Sequence, residues 1–239
     1  MKKDMYAGLV RWIIFNNKME IIPAILPKDF REIEDKVSYI KGLSDVVQVD
    51  ICDGKFVPST TWPYKKRDEN FDAILKEERG MPEWEDLDYE FDLMVSNPDE
   101  NEMRNWLSAG ATRIVLHTES SLDLLPCMNV LNGLVEIGLA ISILTPIETI
   151  EKYKDKISYV QLMGITKVGF QGQAFDPRVL GKIKEIKEKY PEMIVQIDGG
   201  VSFSTAEELK RAGADRLVVG SALFGSDNLV DTLKKFERI

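Results

Sequence analysis

Eight short apolar runs that favour extended backbone recur along the chain, and amphipathic segments separate most of them. The apolar runs cover residues 21–26, 46–51, 89–95, 113–117, 134–143, 157–163, 193–197 and 216–219. Segments typical of helices cover about 28–41, 71–79, 97–109, 146–154, 177–190, 204–212 and 229–236. This alternation predicts an α/β protein, and eight repeats favour a single (β/α)8 TIM barrel over a doubly wound open sheet.

The chain divides into a short extension and one domain. No linker rich in proline, glycine or serine interrupts residues 20–239, so they are predicted to form the barrel. Residues 1–19 begin like a signal peptide, but Arg11 interrupts the apolar run and no small-residue cleavage site follows Phe15. The run is also too short to span a bilayer. We therefore expect an amphipathic helix packed over one end of the domain, without membrane attachment.

The second predicted strand carries the most informative pattern. Val46–Ile51 alternates apolar residues with Gln48 and Asp50, so period-two geometry places these two side chains and Cys52 on one face. In a closed parallel barrel that face points inward, and Asp50 lies near the carboxyl end of the strand, where such barrels carry their chemistry.

Other acidic side chains are predicted to converge on Asp50. Gln48 and Asp50 on strand two, Asp92 on strand three and Asp198 at the end of strand seven would meet around one pocket. Three carboxylates cannot all stay ionised in a site of low dielectric without a counter-charge. An all-oxygen set suits Mg²⁺ or Mn²⁺ better than Zn²⁺. The alternative is that one carboxylate is protonated and no metal binds.

Glycine-rich strand ends indicate a phosphate site. Gly199 and Gly200 follow strand seven, and Gly220 and Ser221 follow strand eight. The loops after these two strands commonly hold phosphate through backbone N–H groups, and glycine leaves room for the phosphate oxygens.

A second glycine-rich segment follows strand six. It contains Gly164, Gly169 and Gly172 together with Lys167, a composition that suits a flexible lid over the pocket. Met94 and Met163, at the ends of strands three and six, complete the predicted phosphate- and substrate-binding set with Gly169 and Gly172.

Composition restricts the possible partners. A net charge of −9 argues against nucleic acid and against anionic membranes. Only two cysteines occur, Cys52 and Cys127, without metal spacing, so free thiols in a reducing, cytoplasmic compartment are expected. The one histidine, His117, ends strand four, and we interpret it as a packed structural residue.

These motifs together resemble the ribulose-phosphate 3-epimerase family over about residues 21–236. The segments that carry the resemblance are residues 23–26 (PAIL), 49–58 (VDICDGKFVP), 92–98 (DLMVSNP), 169–173 (GFQGQ), 198–201 (DGGV) and 220–224 (GSALF). The resemblance implies a barrel of the ribulose-phosphate-binding type, a sugar-phosphate substrate and a homo-oligomer. It also implies epimerisation at C3 of a ketose 5-phosphate through an enediolate, with Asp50 and Asp198 as the two acid/base groups and a divalent metal.

The chain departs from the family pattern at the expected metal ligands. The family usually has histidine at the positions of Gln48 and Asp92, serine at Ala24 and methionine at Cys52. A catalytically impaired sugar-phosphate-binding homologue is therefore one alternative. Another is a phosphate-binding barrel enzyme of the decarboxylase or hexulose-phosphate synthase type. Those enzymes have an Asp-x-Lys pattern on strand two, and this chain has Cys52 at the position of that lysine.

Overall fold

A closed barrel of parallel strands forms the centre of the molecule. The structure is a computed structural model that describes residues 19–66, 68–170 and 172–239. The strands follow one another in sequence order, and β8 closes the ring by pairing with β1. They are β1 (Glu20–Ile25), β2 (Val46–Cys52), β3 (Asp88–Met94), β4 (Ala111–His117), β5 (Glu136–Ile141), β6 (Tyr159–Met163), β7 (Ile194–Asp198) and β8 (Arg216–Val219). The predicted (β/α)8 barrel is confirmed.

Helices surround the barrel. The described residues form α1 (Phe30–Ile40), α2 (Glu69–Leu75), α3 (Glu100–Ser108), α4 (Leu125–Leu131), α5 (Arg178–Lys189), α6 (Phe203–Ala212), α7 (Ser221–Phe224) and α8 (Leu229–Phe236), with a 3₁₀ helix at Ile147–Lys152. In α1, the Asp29 side chain accepts a hydrogen bond from the Glu32 backbone N–H at 3.0 Å and so fixes the start of the helix. Its inward face consists of Phe30, Ile33, Val37 and Ile40, all buried, and burying such a side chain contributes about 1.5–3 kcal/mol.

The alternation along β2 sorts the side chains as predicted. Val47, Val49 and Ile51 point outward and join the apolar core between the strands and the helices. Gln48 and Asp50 point into the barrel, where they are 0% and 6% exposed. Outward residues therefore hold the helix layer in place, and inward residues build the site.

The segment between β2 and β3 is packed around a tryptophan. The Trp62 side chain is 1% exposed, and its ring centroid lies 5.4 Å from that of Phe30, 5.3 Å from Phe71 and 6.1 Å from Trp106. Its backbone N–H donates to the Pro27 carbonyl at 3.1 Å. Although a long loop at this position is often functional or mobile, these contacts give the part around Trp62 a structural role.

Several helices differ from their predictions. The sequence pattern did not indicate α4, whose seven residues are too few to show a repeated apolar face and which begins without a side-chain cap. The helix predicted over 146–154 is the 3₁₀ helix Ile147–Lys152. The helix predicted over 71–79 is α2, which ends at Leu75 shortly before Glu77 takes a φ of 59°.

The predicted helical extension over residues 1–19 lies outside the described residues except for Met19, which is buried beside β1. In the part of the chain that the structure describes, no helix is long and apolar enough to cross a membrane.

Candidate active site

Three carboxylates meet at the carboxyl end of the barrel. Asp50 and Asp92 are direct partners in the pairing of β2 with β3, and Asp198 is the last residue of β7. One side-chain oxygen from each lies within 4.8 Å of the other two. The structure thus brings together the acidic residues that the strand pattern predicted would converge.

The surroundings of Asp50 disfavour its ionised form. Burial and then the charge of Asp92 raise the pKa of Asp50 to about 8, against the opposing effect of a hydrogen bond from Gln48 Nε2 to Asp50 Oδ1 at 2.9 Å. Burial, together with the charges of Asp50 and Asp92, also raises the pKa of Asp198 well above its ordinary value. Without a cation, at least one of these carboxyls therefore retains a proton near neutral pH.

Asp92 is completely buried and receives two hydrogen bonds. His117 Nε2 lies 2.8 Å from Asp92 Oδ1, and Gln161 Nε2 donates to Asp92 Oδ2 at 3.0 Å. Burial alone would lower the pKa of His117, but the charge of Asp92 and their hydrogen bond outweigh it and raise that pKa. His117 is packed, as expected, with the additional role of a partner for the central carboxylate.

The donor set fits a hard divalent cation. The described residues offer three carboxylate oxygens at short mutual distances, and like charges this close need positive charge between them to ionise together. Gln48 presents its amide nitrogen to Asp50, while its oxygen lies 3.4 Å from Gln196 Nε2, which has closer acceptors on Glu90 and Gln161. Gln48 could serve as a ligand only with its amide turned over, so that assignment stays a prediction.

A small pocket of about 50 Å³ opens above the carboxylates. Asp50 and Asp198 line it, whereas Gln48 and Asp92 are 0% exposed. Its wall also includes every residue predicted to bind phosphate or substrate: Met94, Met163, Gly169, Gly172, Gly199, Gly200, Gly220 and Ser221. Ile165, Phe170, Gln173, Val201 and Val218 complete the wall with Ala24. These residues were not among the predicted binding residues, although segments 169–173 and 198–201 carry the family resemblance.

Gly200 is required for a reason that the sequence did not show. Its φ is +71°, and a Cβ there would lie 2.7 Å from Phe175 Cα and 3.2 Å from the Gly164 carbonyl oxygen. The close neighbours thus belong to the predicted lid segment after β6 (residues 163–175), so glycine at this position lets that segment pack directly on the loop after β7.

The lid segment also contacts the loop after β2. A Cβ on Gly169 would lie 2.7 Å from Val57, and Val168 packs against the apolar cluster of Cys52, Val57 and Met94. Cys52 Sγ lies 3.9 Å from Met94 Sδ, and burial raises the pKa of the Cys52 thiol. This environment supports apolar packing for Cys52 rather than nucleophilic chemistry.

Comparison with known proteins identifies the family. The profile of the "Ribulose-phosphate 3 epimerase family" matches residues 20–224. The chain belongs to this family. A ribulose-phosphate 3-epimerase of Bacillus subtilis (strain 168) is 31% identical over 217 residues, which cover 88% of this chain and 94% of that protein. One from Aquifex aeolicus (strain VF5) is 29% identical over 225 residues, covering 92% and 96%.

Solved structures agree on the fold. The 3-hexulose-6-phosphate synthase from Salmonella typhimurium aligns with a TM-score of 0.67 at 12% identity, over 92% of this chain and 97% of that one. KGPDC from Streptococcus mutans aligns with a TM-score of 0.66 at 13% identity, over 92% and 96%. At these identities the likeness concerns the barrel alone.

Behind the carboxylates, the barrel interior of this member of the ribulose-phosphate 3-epimerase family is polar. Glu90, Gln161 and Gln196 are each 0% exposed, and they link Asp92 to the opposite end of the barrel. The sequence analysis missed them. The signal that could have found them is the same alternation, because Glu90 and Gln196 each stand two residues before a site aspartate and Gln161 stands two before Met163.

Proposed function

We propose that this chain is a ribulose-phosphate 3-epimerase, which interconverts D-ribulose 5-phosphate and D-xylulose 5-phosphate. The observation that carries the proposal is the convergence of Asp50 and Asp198 in a pocket walled by the strand-seven and strand-eight glycine loops. Membership of the family supports the substrate class.

Asp50 and Asp198 act as a pair of acid/base groups. One carboxylate removes the proton from C3 beside the ketone, and the other returns a proton to the opposite face, so the configuration at C3 is inverted. A general base works best when its pKa lies near the working pH; without a cation, burial raises the pKa of Asp50 to about 8, and a bound cation would lower it from there. The loops containing Gly199, Gly200, Gly220 and Ser221 hold the phosphate, which keeps C3 between the two carboxylates.

Asp50, Asp92 and Asp198 would hold a divalent cation, with Gln48 as the predicted fourth ligand. Their oxygen chemistry favours Mg²⁺ or Mn²⁺ over Zn²⁺. When bound, the cation would supply positive charge that stabilises the negative charge developing on the ketone oxygen.

Proton exchange tests this assignment. In D₂O with Mg²⁺ or Mn²⁺, the purified protein should interconvert the two pentulose phosphates and introduce deuterium at C3, measured by NMR. Asp50→Asn and Asp198→Asn should each lower the exchange rate by about 10²–10⁴-fold, because a proton-transfer group contributes typically that much. Asp35→Asn, the same substitution on the exposed side of α1, is the control and should exchange at the wild-type rate.

Wild-type exchange rates in both site variants would contradict the assigned roles. If a sugar phosphate raises the melting temperature of the wild type but no exchange or turnover occurs with any divalent metal, the chain is a binding homologue without catalysis. The replacement of the family's usual ligand histidines by Gln48 and Asp92 favours this second candidate.

A further inference from the structure

A continuous series of side-chain hydrogen bonds crosses the barrel interior to the site. Gln196 Nε2 donates to Glu90 Oε1 at 2.6 Å and to Gln161 Oε1 at 2.8 Å. Gln161 Nε2 then donates to Asp92 Oδ2 at 3.0 Å. Glu90, Gln196, Gln161 and Asp92 are all 0% exposed, so these partners lie out of reach of bulk water.

The direction of this series follows from its two acids when both are ionised. An ionised carboxylate accepts hydrogen bonds and does not donate them, so each amide turns its NH₂ group toward the acid beside it. Gln196 keeps this orientation although its own Oε1 is buried without a hydrogen-bond partner among the described residues. With Gln196 donating to Gln161 Oε1, the Gln161 amide has only its nitrogen left for Asp92.

The far end of the series is anchored to the floor of the barrel. Tyr159 Oη donates to Glu90 Oε2 at 2.7 Å, and the Arg113 guanidinium lies 4.0 Å from the same oxygen. Arg113 is in turn paired with Glu20 at 3.0 Å. Glu90 is therefore held in place from below, and it orients Gln196 from a fixed position.

At the site, the consequence is a carboxylate that cannot rotate freely. His117 occupies Asp92 Oδ1 and Gln161 occupies Asp92 Oδ2, so each oxygen has one partner and one remaining direction in which to bind. Partners of this kind, one layer behind a metal ligand, commonly change metal affinity or activity by 10–100-fold when removed.

We propose that Gln161 is a positioning residue, held by Gln196 and Glu90, that sets the Asp92 carboxylate in the orientation needed to bind a divalent cation together with Asp50 and Asp198. This inference rests on the proposed metal site. It differs from a role in packing alone, because a packing residue would affect stability without affecting cation affinity.

Cation binding to the purified, chelator-treated protein tests the proposal, with Mn²⁺ and Mg²⁺ titrated by isothermal calorimetry. Gln161→Met keeps most of the side-chain volume and removes the donor, so we expect the Kd for Mn²⁺ to rise by about 10-fold or more. The KM for the pentulose phosphate should stay within about twofold at saturating Mn²⁺. Leu162→Met, on the outward face of the same strand, is the matched control and should leave the Kd unchanged.

Gln196→Met tests the next residue of the series, one hydrogen bond further from Asp92 than Gln161. It also replaces Gln161→Met as the test if that variant does not fold. It releases the Gln161 amide from its fixed orientation, so a smaller rise in Kd is expected. In the double variant the effect of Gln196→Met should disappear, because its influence passes through Gln161; such non-additivity is the signature of coupled residues.

The outcomes separate this inference from the function on which it rests. A wild type that binds neither Mn²⁺ nor Mg²⁺ overturns the metal site, and with it this role for Gln161. A wild type that binds Mn²⁺ while Gln161→Met binds it within twofold overturns the positioning role alone. Equal losses in Gln161→Met and Leu162→Met would also overturn it, since the effect would then be one of packing.

Discussion

The stability of the cation-free protein should fall as the pH rises from 5.5 to 7.5. Burial raises the pKa of Asp50 to about 8, whereas an aspartate in an unfolded chain titrates near 3.9. Within this window the folded protein thus holds a proton that the unfolded chain has lost. The folded state binds more protons, so raising the pH favours unfolding.

Other groups act in the same direction. Burial raises the pKa of Glu90 to about 7 and the pKa of Asp198 well above its ordinary value. As the pH rises, these two carboxyl groups therefore lose their protons in the unfolded chain at a lower pH than in the folded protein. His117 has a raised pKa because Asp92 outweighs its burial, so the stability it contributes when protonated is also lost with rising pH.

The size of the effect follows from the number of protons. For each proton that only the folded state holds, the free energy of unfolding falls by at most about 1.4 kcal/mol per pH unit of increase. For a chain of this size, 1 kcal/mol corresponds to roughly 2–4 °C in melting temperature. The proton on Asp50 alone therefore accounts for a fall of up to about 3–6 °C per pH unit.

Calorimetric melting at pH 5.5, 6.5 and 7.5, in chelator, measures this slope. Asp50→Asn should flatten it and should melt above the wild type at pH 7.5, because the amide carries no charge. Asp35→Asn should keep the wild-type slope, since Asp35 is exposed. Mn²⁺ should raise the melting temperature more at pH 7.5 than at 5.5, because it binds the deprotonated carboxylates. A wild-type melting temperature that stays constant or rises with pH would refute the reasoning.

Two further variants test the site and the loop beside it. Gly200→Ala introduces a Cβ 2.7 Å from Phe175 Cα at a φ of +71°, so the free energy of unfolding in urea should fall by about 1–3 kcal/mol. The control Gly181→Ala, inside α5 with no atom within 4 Å of its added Cβ, should raise it by up to about 1 kcal/mol. Equal effects of the two substitutions would contradict the argument. Replacing both Gln48 and Asp92 by histidine adds imidazole ligands, so the ratio of Zn²⁺ to Mn²⁺ bound after dialysis against equal Mn²⁺ and Zn²⁺ should rise, as measured by elemental analysis. An unchanged metal ratio would show that these two positions do not contact the cation.

The sequence predicted the barrel well because its signal is repeated. Each strand combines a short apolar run with a following turn, and an error at one strand leaves the other seven in place. The convergence of Asp50, Asp92 and Asp198 was also predictable, because a closed parallel barrel brings all its carboxyl ends to one rim. Both results follow from periodicity and topology, without any knowledge of side-chain contacts.

Local pairings were beyond the reach of such patterns. That His117 and Gln161 would bind opposite oxygens of Asp92 depends on side-chain conformations in three different strands. The reason for Gly200 was hidden in the same way, since its crowded neighbour Phe175 lies in another loop. Alternation can show that a side chain points inward, but only the packed structure shows what it meets there.

The polar interior is better explained by the orientation of Asp92 than by stability. Barrels of this type usually fill their interior with bulky branched side chains, and Gln161 and Gln196 stand here in such positions. A satisfied buried hydrogen bond contributes only about 0.5–1.5 kcal/mol net, while an unsatisfied buried atom costs about 1–3 kcal/mol. Gln196 Oε1 is such an atom, so the series gains little stability over an apolar filling. An apolar filling could not provide the hydrogen-bond donor that Gln161 directs at Asp92 from the barrel interior.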